Sequence, residues 1–168
     1  AAESRRLSQS GVAAAAPAQG TVVTVFGAKG GIGKSTVATN VAVAFARQSG
    51  GSVVIVDLDN GFGDVAGMLD VRPERTLLDL VNDIDRVDKE ELRKYVVKHA
   101  SGLDVLLGPS VLEWRSIEAD QVRRVIEVLV RSYDTVVLDT SGMLSELSEA
   151  AIELATIVLW ITTTEFAT

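Results

Sequence analysis

Five short runs of β-branched and aliphatic residues punctuate the chain: Thr21–Phe26, Ser52–Asp57, Leu103–Leu107, Thr135–Asp139 and Thr156–Thr162. Each is continuously apolar instead of alternating, which is the pattern of strands buried on both faces of a parallel sheet. Between them the period lengthens. From Ala119 to Tyr133, the residues Val122, Val125, Ile126, Leu129, Val130 and Tyr133 recur at helical spacing, with Arg123, Arg124, Glu127 and Arg131 opposite, so an amphipathic helix is predicted. Asp88–His99 shows the same spacing through Leu92, Tyr95, Val96 and His99, with Glu90, Lys94 and Lys98 placed for a solvated face. Gly102 then supplies a stop, and a second amphipathic helix is expected there. Strand and helix alternating in this way predict an α/β fold, with three α/β/α layers around a mostly parallel central sheet and right-handed crossovers. Ligands in such folds meet the carboxyl ends of the strands.

Composition narrows the chemistry. Of 168 residues, 47% are hydrophobic and 5% aromatic, a globular make-up. Residues 1–20, dominated by Ala, Ser, Gln and Gly, cannot bury enough apolar surface to order themselves and are expected to be a flexible linker. A linker there implies a segment that once preceded it, so the chain is expected to be a piece of a longer protein. The absence of cysteine excludes a disulfide framework, a Cys-based zinc site and a thiol nucleophile, and makes a cytoplasmic setting the default. No apolar run approaches the roughly 20 residues of a transmembrane segment. With 23 acidic and 16 basic residues the formal charge is −7, which argues against broad binding of DNA or anionic lipid by this segment. Arg123, Arg124 and Arg131 read as a solvated helix face, His99 as a helix-end or surface residue, and Trp114 and Trp160 as packing residues.

The informative segment directly follows the first run. Gly27-Ala28-Lys29-Gly30-Gly31-Ile32-Gly33-Lys34-Ser35-Thr36 lies between a predicted strand and a helical stretch, the context that makes a glycine loop a phosphate cradle. Lys29, Gly30, Gly31, Ile32, Gly33, Lys34, Ser35 and Thr36 are therefore the candidate nucleotide-binding residues. Gly30, Gly31 and Gly33 allow backbone N–H groups to converge on a β-phosphate, and the helix starting near Lys34 directs its positive end at the same anion. Lys34 can reach β- and γ-phosphate oxygens, Ser35 can ligate Mg²⁺, and Thr36 can bond the α-phosphate, so ATP and Mg²⁺ are the expected cofactors. Asp57 and Asp59 end the second run and Asp139 the fourth. Such carboxylates face the ligand crevice or cap a following helix.

KGGIGKST, with Lys29 as an additional lysine in the loop, resembles the deviant phosphate loop of the MinD/ParA ATPases. The resemblance implies a P-loop NTPase fold over residues 21–168, with the C-terminal part of that domain missing. It implies an ATPase whose homodimer closes through the nucleotide face, with Lys29 reaching the partner's phosphates. It makes Asp59 the group that polarises the attacking water, Asp57 a supporting carboxylate beside Mg²⁺, and Asp139 the Walker B residue that holds Mg²⁺ through water. Catalysis would then rest on Lys29, Lys34 and Asp59, and metal binding on Ser35, Asp57 and Asp139. Phe62-Gly63-Asp64-Val65-Ala66, Met68-Leu69-Asp70, Pro73 and Thr76–Val81 resemble the CpaE/TadZ branch, which acts in pilus assembly and localisation, typically at a cell pole. That branch implies pilus or secretion assembly proteins as partners and a receiver-like domain upstream. Two features depart from the family's usual DTPP and TTPE: Asp139-Thr140-Ser141-Gly142 and Thr162-Thr163-Thr164-Glu165. The first favours, as an alternative, a polar scaffold that holds nucleotide with little hydrolysis; a ParA/MinD-type partitioning or division-site ATPase is the other. The chain itself, at this length, is expected to hydrolyse ATP weakly.

Overall fold

The computed structural model of the chain describes residues 20–61 and 63–164. The linker expected over residues 1–20 falls almost wholly outside them, as do Phe62 and Glu165. In chain order the elements are β1 (Thr21–Phe26), α1 (Lys34–Gln48), β2 (Val53–Leu58), α2 (Val65–Met68), α3 (Leu77–Asp83), α4 (Lys89–Leu92), β3 (Val97–Lys98), β4 (Asp104–Leu106), α5 (Ala119–Ser132), β5 (Thr135–Thr140), α6 (Glu146–Glu153) and β6 (Ile157–Trp160). The six strands form one sheet in the order β3-β4-β2-β5-β1-β6, and only the β3–β4 pair is antiparallel. This is the expected mostly parallel three-layer α/β/α architecture.

Both faces of the sheet are covered, which explains the continuously apolar strands. Val22, Val54, Val56, Val136 and Leu138 pack on one side with α3, α5 and α6. Val23, Val25, Val53, Ile55 and Val137 pack on the other against α1 and α2. Side chains alternate along a strand, so Asp57 shares a face with Ile55, and Asp139 with Val137. Both aspartates thus project toward the layer that contains α1. The helix predicted over Ala119–Tyr133 is present as α5, where Val122, Val125, Ile126 and Leu129 are buried. Its arginines pair with acids at the surface: Arg123 with Asp120 and Glu153, Arg124 with Asp85, and Arg131 with Glu127.

Asp88–His99 is not one helix. Asp88 caps a single turn through the Glu90 and Glu91 amides at 2.9 and 2.8 Å, and helix α4 stops at Leu92. Val97 and Lys98 then extend and pair with Val105 and Asp104, and Gly102 serves the hairpin turn at φ 90° instead of ending a helix. Long-range pairing overrides the local period here, because β4 otherwise presents an open edge and Val96–Val97 are β-branched. His99 sits in that turn, where its Nδ1 accepts the Ser101 amide at 3.2 Å. Trp114 is buried as expected. Trp160, expected as a packing residue, meets Phe26 edge-on at 4.9 Å but remains 59% exposed, because β6 is an edge strand.

Candidate functional site

The glycine loop occupies the turn between β1 and α1. Its first glycine is sterically required: a Cβ on Gly27 would lie 2.6 Å from the Ile161 carbonyl oxygen and 2.7 Å from Ile32 Cδ1. Gly31 and Gly33 adopt φ 74° and 93°, which L side chains resist, and Gly33 is the N-cap from which α1 begins at Lys34. The first amides of α1 lack intrahelical acceptors and converge on the space above the loop. Lys34 is only 6% exposed and its ammonium donates to the Lys29 carbonyl at 3.4 Å. Lys29, Gly30, Gly31 and Thr36 are exposed, while Ile32 and Ser35 are half-buried.

Strand register brings the acids to this loop. Asp57 and Asp139 are direct partners across the parallel β2–β5 pair, and Asp139 also faces Val25 of β1. Asp139 is completely buried, and neither of its carboxylate oxygens has a hydrogen-bond partner among the described residues. Burial pushes its carboxyl up to about 6; the charges of Asp59 and Asp64 add to the rise, while Ser35, which approaches without completing a hydrogen bond, and Lys34 oppose it. Asp57 is pushed up to about 7, chiefly by burial and further by the charges of Asp139, Asp59 and Asp64, despite the Asp59 amide donating to its Oδ1 at 3.0 Å. Asp59 leaves the strand and accepts the Gly61 amide at 2.9 Å.

A cleft of about 360 Å³ joins these parts, lined by the glycine loop, Lys34, Ser35, Thr36 and Asp59. It is also lined by Gly61, Asp64, Met68 and Gly142, which sequence reasoning did not assign to the site. Asp64 carried a signal, as a carboxylate a few residues beyond Asp57 and Asp59; Gly142 carried one as a departure from the expected switch sequence. A Cβ at Gly142 would come within 3.0 Å of the Gly30 amide and 3.1 Å of Lys34 Nζ, so the segment after β5 packs directly on the phosphate loop. Neither Asp139 nor Asp57 lines this cleft: Asp139 is buried behind Ser35, and Asp57 borders an adjoining cavity of about 260 Å³ with Gly63, Gly108 and Trp114, where a Cβ on Gly63 would collide with its Oδ2.

The family model for an AAA domain, AAA_31, matches residues 20–168. The chain belongs to the AAA_31 family. This AAA_31 chain is 28% identical over 150 residues to the septum site-determining protein MinD of Thermotoga maritima, covering 87% of the chain and 53% of that protein. It is likewise 28% identical to a ParA family protein of Mycoplasma pneumoniae, covering 82% of the chain and 56% of that protein. Among solved structures it resembles a ParA family ATPase from Chlorobium tepidum with a TM-score of 0.79 and 26% identity, covering 84% of the chain and 60% of that structure. The AAA_31 chain thus spans about half the length of the curated relatives it matches. Together these likenesses support a P-loop domain of the MinD/ParA type.

The residues present fit ATP and Mg²⁺. A magnesium ion bound with nucleotide usually takes phosphate oxygens, waters and one or two carboxylates, not an all-protein cage. No cluster of three or more His, Cys, Asp or Glu among the described residues could hold a metal alone. Asp139, with two buried and unpartnered oxygens beside Ser35, is suited to such a shared site.

Proposed function

We propose that this chain is the phosphate-binding part of a nucleotide-switched ATPase that dimerises through its nucleotide face. The observation that carries the reading is the alignment of Asp139 with Asp57 across β2 and β5, directly beneath a glycine loop that presents Lys34 and Ser35. Ser35 and the buried Asp139 would hold Mg²⁺, with Asp57 supporting from the next strand. The metal, when bound with ATP, would neutralise charge on the β- and γ-phosphate oxygens. The amides of Lys29–Thr36 orient the phosphates, and Lys34 stabilises charge on the transferring group. Asp59 orients and polarises the attacking water. Lys29, at the exposed end of the loop, reaches the phosphates bound by a second copy.

The stretches around Gly63–Ala66 and Thr76–Val81 support a CpaE/TadZ-like role, with pilus or secretion assembly proteins as partners, at a cell pole, and a receiver-like domain ahead of residues 1–20. On this reading residues 21–168 are the N-terminal portion of the ATPase domain. Among the described residues no helix is long and apolar enough to cross a membrane. A nucleotide-holding scaffold is favoured by one observation, the packing of Gly142 against Gly30 and Lys34, which leaves little room for the segment after β5 to respond to a γ-phosphate. ParA- or MinD-type positioning is the other alternative, supported by the relatives' names.

The test is ATP turnover and ATP-dependent dimerisation of the longer protein with Lys29→Ala and Asp59→Ala. By analogy with arginine fingers supplied in trans, Lys29→Ala should lower turnover by about 10³ to 10⁵ and abolish dimerisation. Unchanged turnover and dimerisation in both variants would refute the mechanism. Bound nucleotide with turnover at background in the wild type would select the scaffold.

A further inference from the structure

At the end of the sheet opposite the phosphate loop lies a cavity of about 340 Å³ that the proposed nucleotide chemistry does not use. Its walls come from residues that lead into the strands: Ser52 ahead of β2, Ser132 and Tyr133 ahead of β5, and Asp104 at the start of β4. Because β2 and β5 are parallel and six residues long, the cavity and the Asp57–Asp139 pair stand at opposite ends of the same two strands, roughly 20 Å apart. The two sites share no residue.

The cavity is built on a fixed frame. Asp104 is 8% exposed, and both its carboxylate oxygens are engaged: Oδ2 accepts the Tyr133 hydroxyl at 2.9 Å and Oδ1 the Lys98 ammonium at 2.7 Å. The acid of the cavity is therefore already satisfied. Lys89 and Arg93, by contrast, line the same cavity and make no ion pair among the described residues. Lys89 opens α4 and Arg93, four residues on, caps its end in helical conformation, so the two share one side of the single turn. Leu92, Val96 and Tyr133 supply an apolar wall beneath them. Asp134, held by Ser52, is close enough to feel the Lys89 charge, but neither cation is in a contact ion pair among the described residues. In a chain of formal charge −7 the two together form a local positive site over the apolar wall. A guanidinium with an ammonium suits a phosphate dianion, and the volume suits a ligand with one ring.

We propose that this cavity binds a small organic phosphate: Arg93 and Lys89 hold the phosphate oxygens, and the ring lies along Leu92, Val96 and Tyr133. Lys98 is neutralised by Asp104 and takes no part in holding the ligand. The proposal is independent of the ATPase reading, because none of these residues touches the phosphate loop.

Phenyl phosphate titrated into the isotope-labelled 168-residue chain, followed by amide chemical shifts, tests it. Saturable shifts should centre on residues 89–104 and 132–134 and persist in Lys34→Ala, which removes the phosphate-loop ammonium. Lys89→Ala/Arg93→Ala alters two exposed side chains, so the fold should survive, and affinity should fall roughly tenfold or more. Inorganic phosphate, which lacks the ring, and benzoate, which lacks the second charge, should each bind more weakly. Shifts confined to residues 29–36, insensitivity to the double variant, or equal affinity for inorganic phosphate would each overturn the proposal.

Discussion

Asp57 and Asp139 are neighbours on adjacent strands, both buried and both raised into the range of about 6 to 7. A carboxyl raised from 3.8 on folding favours its protonated form, so its contribution to stability is complete below about pH 4 and is lost as pH rises through 6 to 7. The nucleotide-free chain in chelator should therefore melt at a lower temperature at pH 8 than at pH 5. Asp57→Asn should flatten that profile and exceed the wild type at pH 8 by on the order of a few kcal/mol, as read by thermal unfolding across the pH series. A wild-type melting temperature that rises from pH 5 to pH 8 would contradict the assignment. The same pair should reverse its preference when nucleotide and Mg²⁺ are supplied, since the cation favours the charged carboxylates. Calorimetry of Ser35→Ala should then show a roughly tenfold weaker Mg²⁺-dependent ATP affinity, with metal-free binding little changed. The aspartates were legible in the sequence because each ends an apolar run. Their pairing was not, since register between strands 82 residues apart is a property of the sheet. Gly142 was visible only as an oddity until the folded chain placed it against Lys34 Nζ.

Helix α5 and the segment before β4 show when a local period decides structure and when it does not. Helix α5 has 14 residues, enough to carry a full apolar stripe, and that stripe is buried against the sheet. Leu129→Ala, at a position with no exposure, should destabilise the chain by about 2–5 kcal/mol, whereas Arg124→Ala on its outer side should change stability by less than about 0.5 kcal/mol. Denaturant unfolding of the two variants measures both. Asp88–His99 has a helical spacing of nearly the same quality, yet only one turn of it is helix. Tyr95 is held by its hydroxyl on Asp83 at 2.7 Å and by Arg75 over its ring at 4.9 Å, and the next residues complete a hairpin with β4. Gly102→Ala, at φ 90° in that hairpin, should cost about 1–2 kcal/mol in the same assay. Local pattern won where the segment was long and faced a layer; pairing won where a short segment lay beside an open strand edge.

Across the whole molecule, apolar surface is distributed unevenly. On the β6 side Ile157, Val158 and Trp160 are exposed along a strand whose outer edge is unpaired among the described residues. Such an edge is a template for further pairing. The 168-residue chain should self-associate with rising concentration in analytical ultracentrifugation, and Val158→Lys should reduce it; identical sedimentation of the two would show that β6 is not the contact. The two-sided sheet, the phosphate loop and its place after the first strand were determined by the sequence alone. Continuous apolar runs can be stable only between two layers, and the loop needs glycine at Gly27, where a Cβ would strike the Ile161 carbonyl, and at Gly31 and Gly33, whose positive φ disfavours any side chain. The tertiary structure decided which strands are neighbours and hence that Asp57 meets Asp139. It also decided that Asp64 and Gly142 complete the cleft, that Asp88–His99 divides into a turn and an edge strand, and that a cationic cavity forms at the far end of the sheet. These are contacts between segments distant along the chain, and no local preference encodes the distance between two backbones that only packing brings together.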